Sequence, residues 1–114
     1  MAEISKEMIE KTLEAIEVAK NTGKVKKGTN EVTKALERGT AKLVAIAKDT
    51  APAEIIMHMP LLSKEKGIPC VTVESKEELG TAAGLEVPTV AVAIIAEGDA
   101  KALVKEIAEY MAKE

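Results

Sequence analysis

Asn30, Glu31 and Lys34 lie within a single helical turn in the run Lys26-Lys27-Gly28-Thr29-Asn30-Glu31-Val32-Thr33-Lys34. An amide, a carboxylate and an ammonium at that spacing can project together as one mixed set of donors and acceptors. Lysine and asparagine donate to guanine O6 and N7, and a carboxylate accepts from the guanine N1–H and amino group. The same stretch lies where a strand should hand over to a helix. A helix N-terminus offers unpaired N–H groups and a positive dipole end, both suited to phosphate. Gly28 would let a nucleic-acid backbone approach closely. The plainer reading is a helix start capped by Thr29, with Glu31 favoured by the dipole in the first turn.

The surrounding charge favours the nucleic-acid reading. From Lys20 to Lys48 the chain holds eight basic residues (Lys20, Lys24, Lys26, Lys27, Lys34, Arg38, Lys42, Lys48) and two acidic ones, Glu31 and Glu37. That window is +6 within a chain of net charge −3, so the remainder carries −9. An acidic protein with one strongly basic patch is suited to holding a polyanion at one place. An acid inside such a patch does nothing for bulk phosphate binding, whereas it suits the reading of a base edge.

Other chemistry has little support. His58 is the sole histidine and lies among Ile55, Ile56, Met57 and Met59, with no orienting partner suggested for a general base. Cys70, the sole cysteine, falls inside a strand pattern, where a thiol behaves as a small hydrophobe, and it excludes an intrachain disulfide. No clustered metal ligands, no Walker-type Gly-Lys-Ser/Thr and no three-glycine Rossmann turn occur. The expectation is no catalytic residue, no metal and no cofactor. Tyr110 is the only aromatic residue. Single-strand binders that stack bases on aromatic platforms are therefore excluded.

The elements that must position these residues follow from periodicity. Ile9, Leu13 and Ile16 give a helix over 4–22, with Ser5 as its cap and Gly23 at its end. Val25 sits in a short strand, and a second helix runs from Thr29 to Arg38, closed by Gly39. Leu43 to Ala47 is a continuously apolar strand of the kind buried on both faces. Residues 49–53 form a loop, Pro52 and Pro60 suit first helical turns, and a helical run over 55–66 ends at Gly67. Residues 69–73 form the next strand. Ser75-Lys76-Glu77-Glu78 is a capping box opening a short helix that Gly80 or Gly84 terminates. Residues 85–88 form a loop before a strand over 90–96. Asp99 caps a last helix with Leu103, Ile107, Tyr110 and Met111 on one face. Strands alternating with helices imply an α/β fold, a three-layer α/β/α sandwich around a small, mostly buried mixed sheet. At 114 residues it is one domain, 1–114, able to bury about two-thirds of its unfolded surface. No apolar run reaches the ~20 residues of a membrane span, and no signal-peptide core follows Met1, so a soluble cytoplasmic protein is expected.

The Lys26–Lys34 run with Glu37-Arg38-Gly39 closely resembles the seven-Ae family of archaeal large-subunit ribosomal proteins, kink-turn RNA-binding members of the ribosomal seven-Ae/thirty-e superfamily. The likeness continues through Ala41-Lys42-Leu43-Val44, Met59-Pro60-Leu61-Leu62, Ile68-Pro69, Ser75 to Gly80, Ala82 to Pro88 and Val92-Ala93-Ile94. It covers residues 23–98, and several spaced motifs in order are far more specific than any one of them.

The resemblance implies a compact RNA-binding scaffold that recognises kink-turns, bent duplexes in which a short bulge precedes tandem sheared G·A pairs. A sheared pair leaves the guanine N1–H and O6 unpaired. By matched positions, Asn30, Glu31 and Lys34 contact those guanines while Gly28 and Thr29 lie against the backbone. Arg38 and Lys76 hold phosphates, and Leu85-Glu86-Val87 covers a nucleotide thrown out of the bulge. The implied partners are ribosomal RNA, box C/D and H/ACA guide RNAs and ribonuclease P RNA, with the ribonucleoprotein proteins assembled on them. The protein itself is expected to be monomeric when free, to touch no membrane and to catalyse nothing. Three departures stand out from the family pattern: Glu77 and Thr81 replace basic residues, Ala51 and Ala53 flank Pro52, and Cys70-Val71-Thr72 replaces a tyrosine-rich stretch. The alternatives are a single-RNA relative of the thirty-e type, a same-fold protein-interaction domain without RNA binding, and a small enzyme using His58 or Cys70.

Overall fold

The computed structural model describes residues 6–47 and 62–112. Expectations for Ile4, Ser5, Lys48, Pro52, His58, Pro60 and their neighbours lie outside these residues. The order of elements is α1 (Lys6–Thr22), β1 (Lys24–Lys27), α2 (Thr29–Arg38), β2 (Leu43–Ala47), a helical stretch at 62–66, β3 (Cys70–Val73), α3 (Lys76–Ala82), β4 (Ala91–Ala96), a 3-10 turn (Gly98–Ala100) and α4 (Lys101–Ala112).

The four strands form one sheet in the order β1-β4-β2-β3. β2 and β3 run parallel, and β4 is antiparallel to both β1 and β2. The sheet is mixed, as expected. Its order rests on pairings between distant segments and has no local signature.

Alternation along the two central strands produces the three layers. Leu43, Ala45, Ala47, Val92 and Ile94 point into one core with Ala15, Ile16 and Ala19 of α1, Leu79 of α3, and Val104 and Ile107 of α4. Val44, Ile46, Ala91 and Ala93 point the other way, onto Val32, Ala35 and Leu36 of α2. β2 is therefore buried at every position, which is why it reads as an unbroken apolar run.

Of the two stops that the sequence offers for α3, Gly80 lies inside the helix, where a Cβ would collide with the Val87 carbonyl, and the chain turns at Gly84, with φ +79. One boundary needs correction. Asp99 does not cap the last helix. It sits inside the 3-10 turn, where its N–H donates to Thr22 Oγ1 at 2.8 Å. On α4, Leu103 and Tyr110 are only partly buried, and Val104 is in the core beside Ile107. Gly23 follows α1 as expected, and its requirement is close packing, since a Cβ would meet the Ala96 carbonyl.

Candidate nucleic-acid interface

Gly28 is the residue on which the turn depends. Its backbone adopts φ 98 and ψ 150, a region essentially reserved for glycine. No other atom would lie within 4 Å of a Cβ there, so the requirement is conformational and the space beside this backbone is open. The Gly28 N–H donates to the Ala91 carbonyl at 2.9 Å, and its own carbonyl accepts from Val32 N–H at 3.0 Å. Gly28, and not Thr29, occupies the N-cap of α2, and it has no side chain to bond the first-turn amides. Thr29 is the first helical residue. The threonine cap of the plainer reading does not form, and the amides of the first turn remain without a side-chain acceptor.

Ala91 draws the remaining pieces together. Its carbonyl also accepts from Thr89 Oγ1 at 3.2 Å. The Thr89 N–H donates to the Lys76 carbonyl at 3.1 Å, at the first residue of α3. Ser75 caps that helix: its Oγ accepts from the N–H groups of Glu77 and Glu78 at 3.1 and 3.4 Å, the hydroxyl half of a capping box. Gly80 lies directly beneath the Val87 carbonyl. Backbone contacts alone thus bring the start of α2, the start of α3 and the 85–89 loop to one end of the sheet.

At that end Asn30, Glu31 and Lys34 are all exposed, together with Glu86. Val87 is 63% exposed, the one large hydrophobic so placed among the described residues. Leu85 differs from the expected apolar loop tip, because it is half-buried and packs against the α1-side core. Lys76 is half-buried. Arg38 is exposed at the opposite end of α2, about 12 Å along the axis from Asn30. It therefore shares the helix with the trio but not the cluster around Ala91. Gly39 ends α2 in the left-handed conformation, φ 70, and its N–H bonds the Leu36 carbonyl at 3.1 Å.

Two other features bear on the electrostatics. Lys24, Lys26 and Lys27 lie on the edge strand β1, where lysines also discourage strand pairing with another chain. Glu77, Thr81, Leu85, Glu86, Val87 and Pro88 line an open groove beside the loop, which puts two carboxylates next to Val87.

The remaining reactive candidates do not join the cluster. Cys70 lies on β3, the edge opposite β1, and burial pushes its thiol up to about 11, with the nearby Ser63 hydroxyl acting in the opposite direction. Such a thiol stays protonated and unreactive near neutrality. His58 lies outside the described residues. Among the described residues no group of three or more His, Cys, Asp or Glu side chains could hold a metal ion, and no helix is long and apolar enough to cross a membrane.

Thr89 and Ala91 are not distinguished in the sequence, and Gly80 reads there only as one of two possible helix stops. Their contributions are backbone contacts between distant segments. The available signal was a glycine in mid-helix, which resembles a helix stop as much as a close approach.

Residues 10–104 match the family described as Ribosomal protein L7Ae/L30e/S12e/Gadd45. Large ribosomal subunit protein eL8 from two strains of Halobacterium salinarum is 52% identical over 105 residues, covering 92% of this chain and 88% of the relative. Among solved structures, the Giardia lamblia 15.5kD RNA binding protein superposes with a TM-score of 0.91 at 33% identity, covering 99% of this chain and 94% of that chain.

Proposed function

The chain belongs to the Ribosomal protein L7Ae/L30e/S12e/Gadd45 family, and from that premise we propose that it is an RNA-binding scaffold which recognises kink-turns. Its family consists of structural RNA-binding proteins and not of enzymes. The observation that carries the proposal is the cluster at the start of α2. Exposed Asn30, Glu31 and Lys34 stand on a helix whose glycine N-cap leaves the first-turn amides for an outside acceptor.

In this reading the trio meets the exposed edges of the sheared G·A guanines, with Gly28 and Thr29 against the backbone. Lys76 and Arg38 hold phosphates from the two helices. Val87, seated on Gly80 through its carbonyl, covers an extruded nucleotide, while Leu85 anchors the loop to the core. Ribosomal RNA is the first candidate partner, given the ribosomal relatives; guide RNAs and ribonuclease P RNA would offer the same motif. The role would be architectural: binding the bent RNA better than the extended form shifts the population and prepares it for partner proteins. A cytoplasmic location follows from such a role.

The reading without RNA binding expects a degraded trio, whereas all three side chains are present and exposed. A gel-shift titration separates the readings. One RNA carries a kink-turn, and the other has its tandem G·A pairs replaced by Watson–Crick pairs. Tight binding to the first with loss on the second is expected. Equal, weak and salt-sensitive binding to both would reduce the patch to an electrostatic surface.

A further inference from the structure

Lys20 opens the basic window, yet it belongs to α1, on the opposite face of the sheet from α2. Its side chain reaches the turn after α3. A Cβ on Gly84 would lie 2.6 Å from Lys20 Cδ, 3.1 Å from Nζ and 3.3 Å from Cε, so the lysine fills the space that any other residue at 84 would need. Its stem is therefore in van der Waals contact with the Gly84 backbone. Gly28, Gly39 and Gly67 share the positive φ but would have nothing within 4 Å of a Cβ. At Gly84 two requirements meet: φ +79 turns the chain, and the bare backbone lets Lys20 cross it.

That turn is the foot of the 85–88 loop. Gly84 N–H bonds the Thr81 carbonyl at 3.0 Å, and Leu85 N–H bonds the Gly80 carbonyl at 2.9 Å. Leu85 then packs against the α1-side core, whereas Glu86 and Val87 stand exposed beyond it. A lysine suits the crossing, because its apolar stem covers the turn while its ammonium stays in water. The surroundings oppose a phosphate at this point. Glu17, one turn earlier on α1, lines a groove together with Glu77 and Glu78 of α3.

We propose that Lys20 is a positioning residue for RNA binding: its stem straps the Gly84 turn and so holds Leu85, Glu86 and Val87 where they cover an extruded nucleotide. The inference rests on the kink-turn reading, which supplies the nucleotide but gives Lys20 no role. It takes Lys20 out of the phosphate-binding set and makes its contribution one of packing, not of charge.

Two measurements test it together. In the free protein, hydrogen exchange of the Leu85 amide reports on the turn. Lys20→Ala should speed that exchange about five-fold, while Lys20→Met, which keeps a stem without the charge, should stay near the wild-type rate. In binding titrations, a kink-turn RNA is compared with the same RNA whose extruded nucleotide is made abasic. Lys20→Ala should bind the intact RNA about three- to five-fold more weakly and the abasic RNA as the wild type does. Its slope of log affinity against log salt should not change, and Lys20→Met should match the wild type on both RNAs. Equal weakening on both RNAs would overturn the positioning role, and so would an unchanged Leu85 exchange rate. A slope shallower by about 0.9 would overturn it too, making Lys20 a phosphate contact. A wild-type chain that binds intact and abasic RNA equally would show that the loop covers no base, and the role would fall with it. If the wild-type chain does not prefer the kink-turn over its Watson–Crick counterpart, the broader reading fails instead, and the exchange rates still decide whether Lys20 holds the turn.

Discussion

At the scale of single residues, the account depends on side chains that are exposed and cost the fold nothing to change. Glu31→Ala and Lys34→Ala should each weaken kink-turn binding by ~1–3 kcal/mol, because each removes a base-edge contact. Melting temperatures should stay near the wild-type value, since both positions are solvent-exposed. A variant with full affinity would remove that residue from the reading turn. Gly28→Ala is the opposite case: space is available, but the conformation is not, so a stability loss of ~1–3 kcal/mol is expected in denaturant titrations. Cys70 gives a pH signature. Its thiol is raised from 9.0 to about 11 in the fold, so the neutral form is favoured by folding. Stability from this group is complete below pH 9 and declines as pH rises from 9 to 11, by roughly 2–3 kcal/mol in all. Cysteine-free variants should lack that decline. The trio itself was legible in the sequence, because its meaning lies in residue types at helical spacing. The glycine cap was not, because Thr29 has the better capping side chain and only the φ of Gly28 decides the matter.

At the scale of elements, the positions of helices and strands came from pattern, and the errors came from glycine and aspartate. β2 spans 43–47 and α2 spans Thr29–Arg38 as the sequence reading expects, because one is uniformly apolar and the other ends in a left-handed glycine. Gly80 and Gly84 both read as possible stops in the sequence, since a mid-helix glycine costs propensity. In the fold it is a contact surface, with the Val87 carbonyl against it. Gly80→Ala should therefore push the 85–89 loop off α3, costing ~1–3 kcal/mol of stability by overpacking and weakening RNA binding as well. Chemical denaturation and a binding titration on the same sample would check both, and wild-type behaviour in each would show that the loop is not seated there. Asp99 was misplaced for a related reason: an aspartate after glycine reads as a cap, but Thr22 already bonds its N–H and a 3-10 turn intervenes. Strand order was not legible at all, because parallel β2–β3 pairing depends on the crossover between them.

At the scale of the whole molecule, charge separation organises the function. The sequence revealed a +6 window in a −3 chain. What it could not reveal is how the window divides in space: Lys34 and Arg38 stand on α2 and Lys26 pairs with Ala93 on that side of the sheet, whereas Lys20 is on α1 and Lys27 pairs with Val92 of the α1-side core. Lys76 joins from α3 by way of its carbonyl bond to Thr89. Lys76→Ala should reduce the salt slope of binding by about one while leaving the preference for tandem G·A pairs intact. An unchanged slope would remove Lys76 from the phosphate contacts. The central claim is that the protein stabilises a bent RNA, and energy transfer between dyes on the two stems of a kink-turn tests it most directly. Titrating the wild-type chain at low divalent-ion concentration should convert the RNA from an extended to a bent population, with Glu31→Ala shifting the curve to higher protein concentration. Saturable binding that leaves the distance between the stems unchanged would contradict the account.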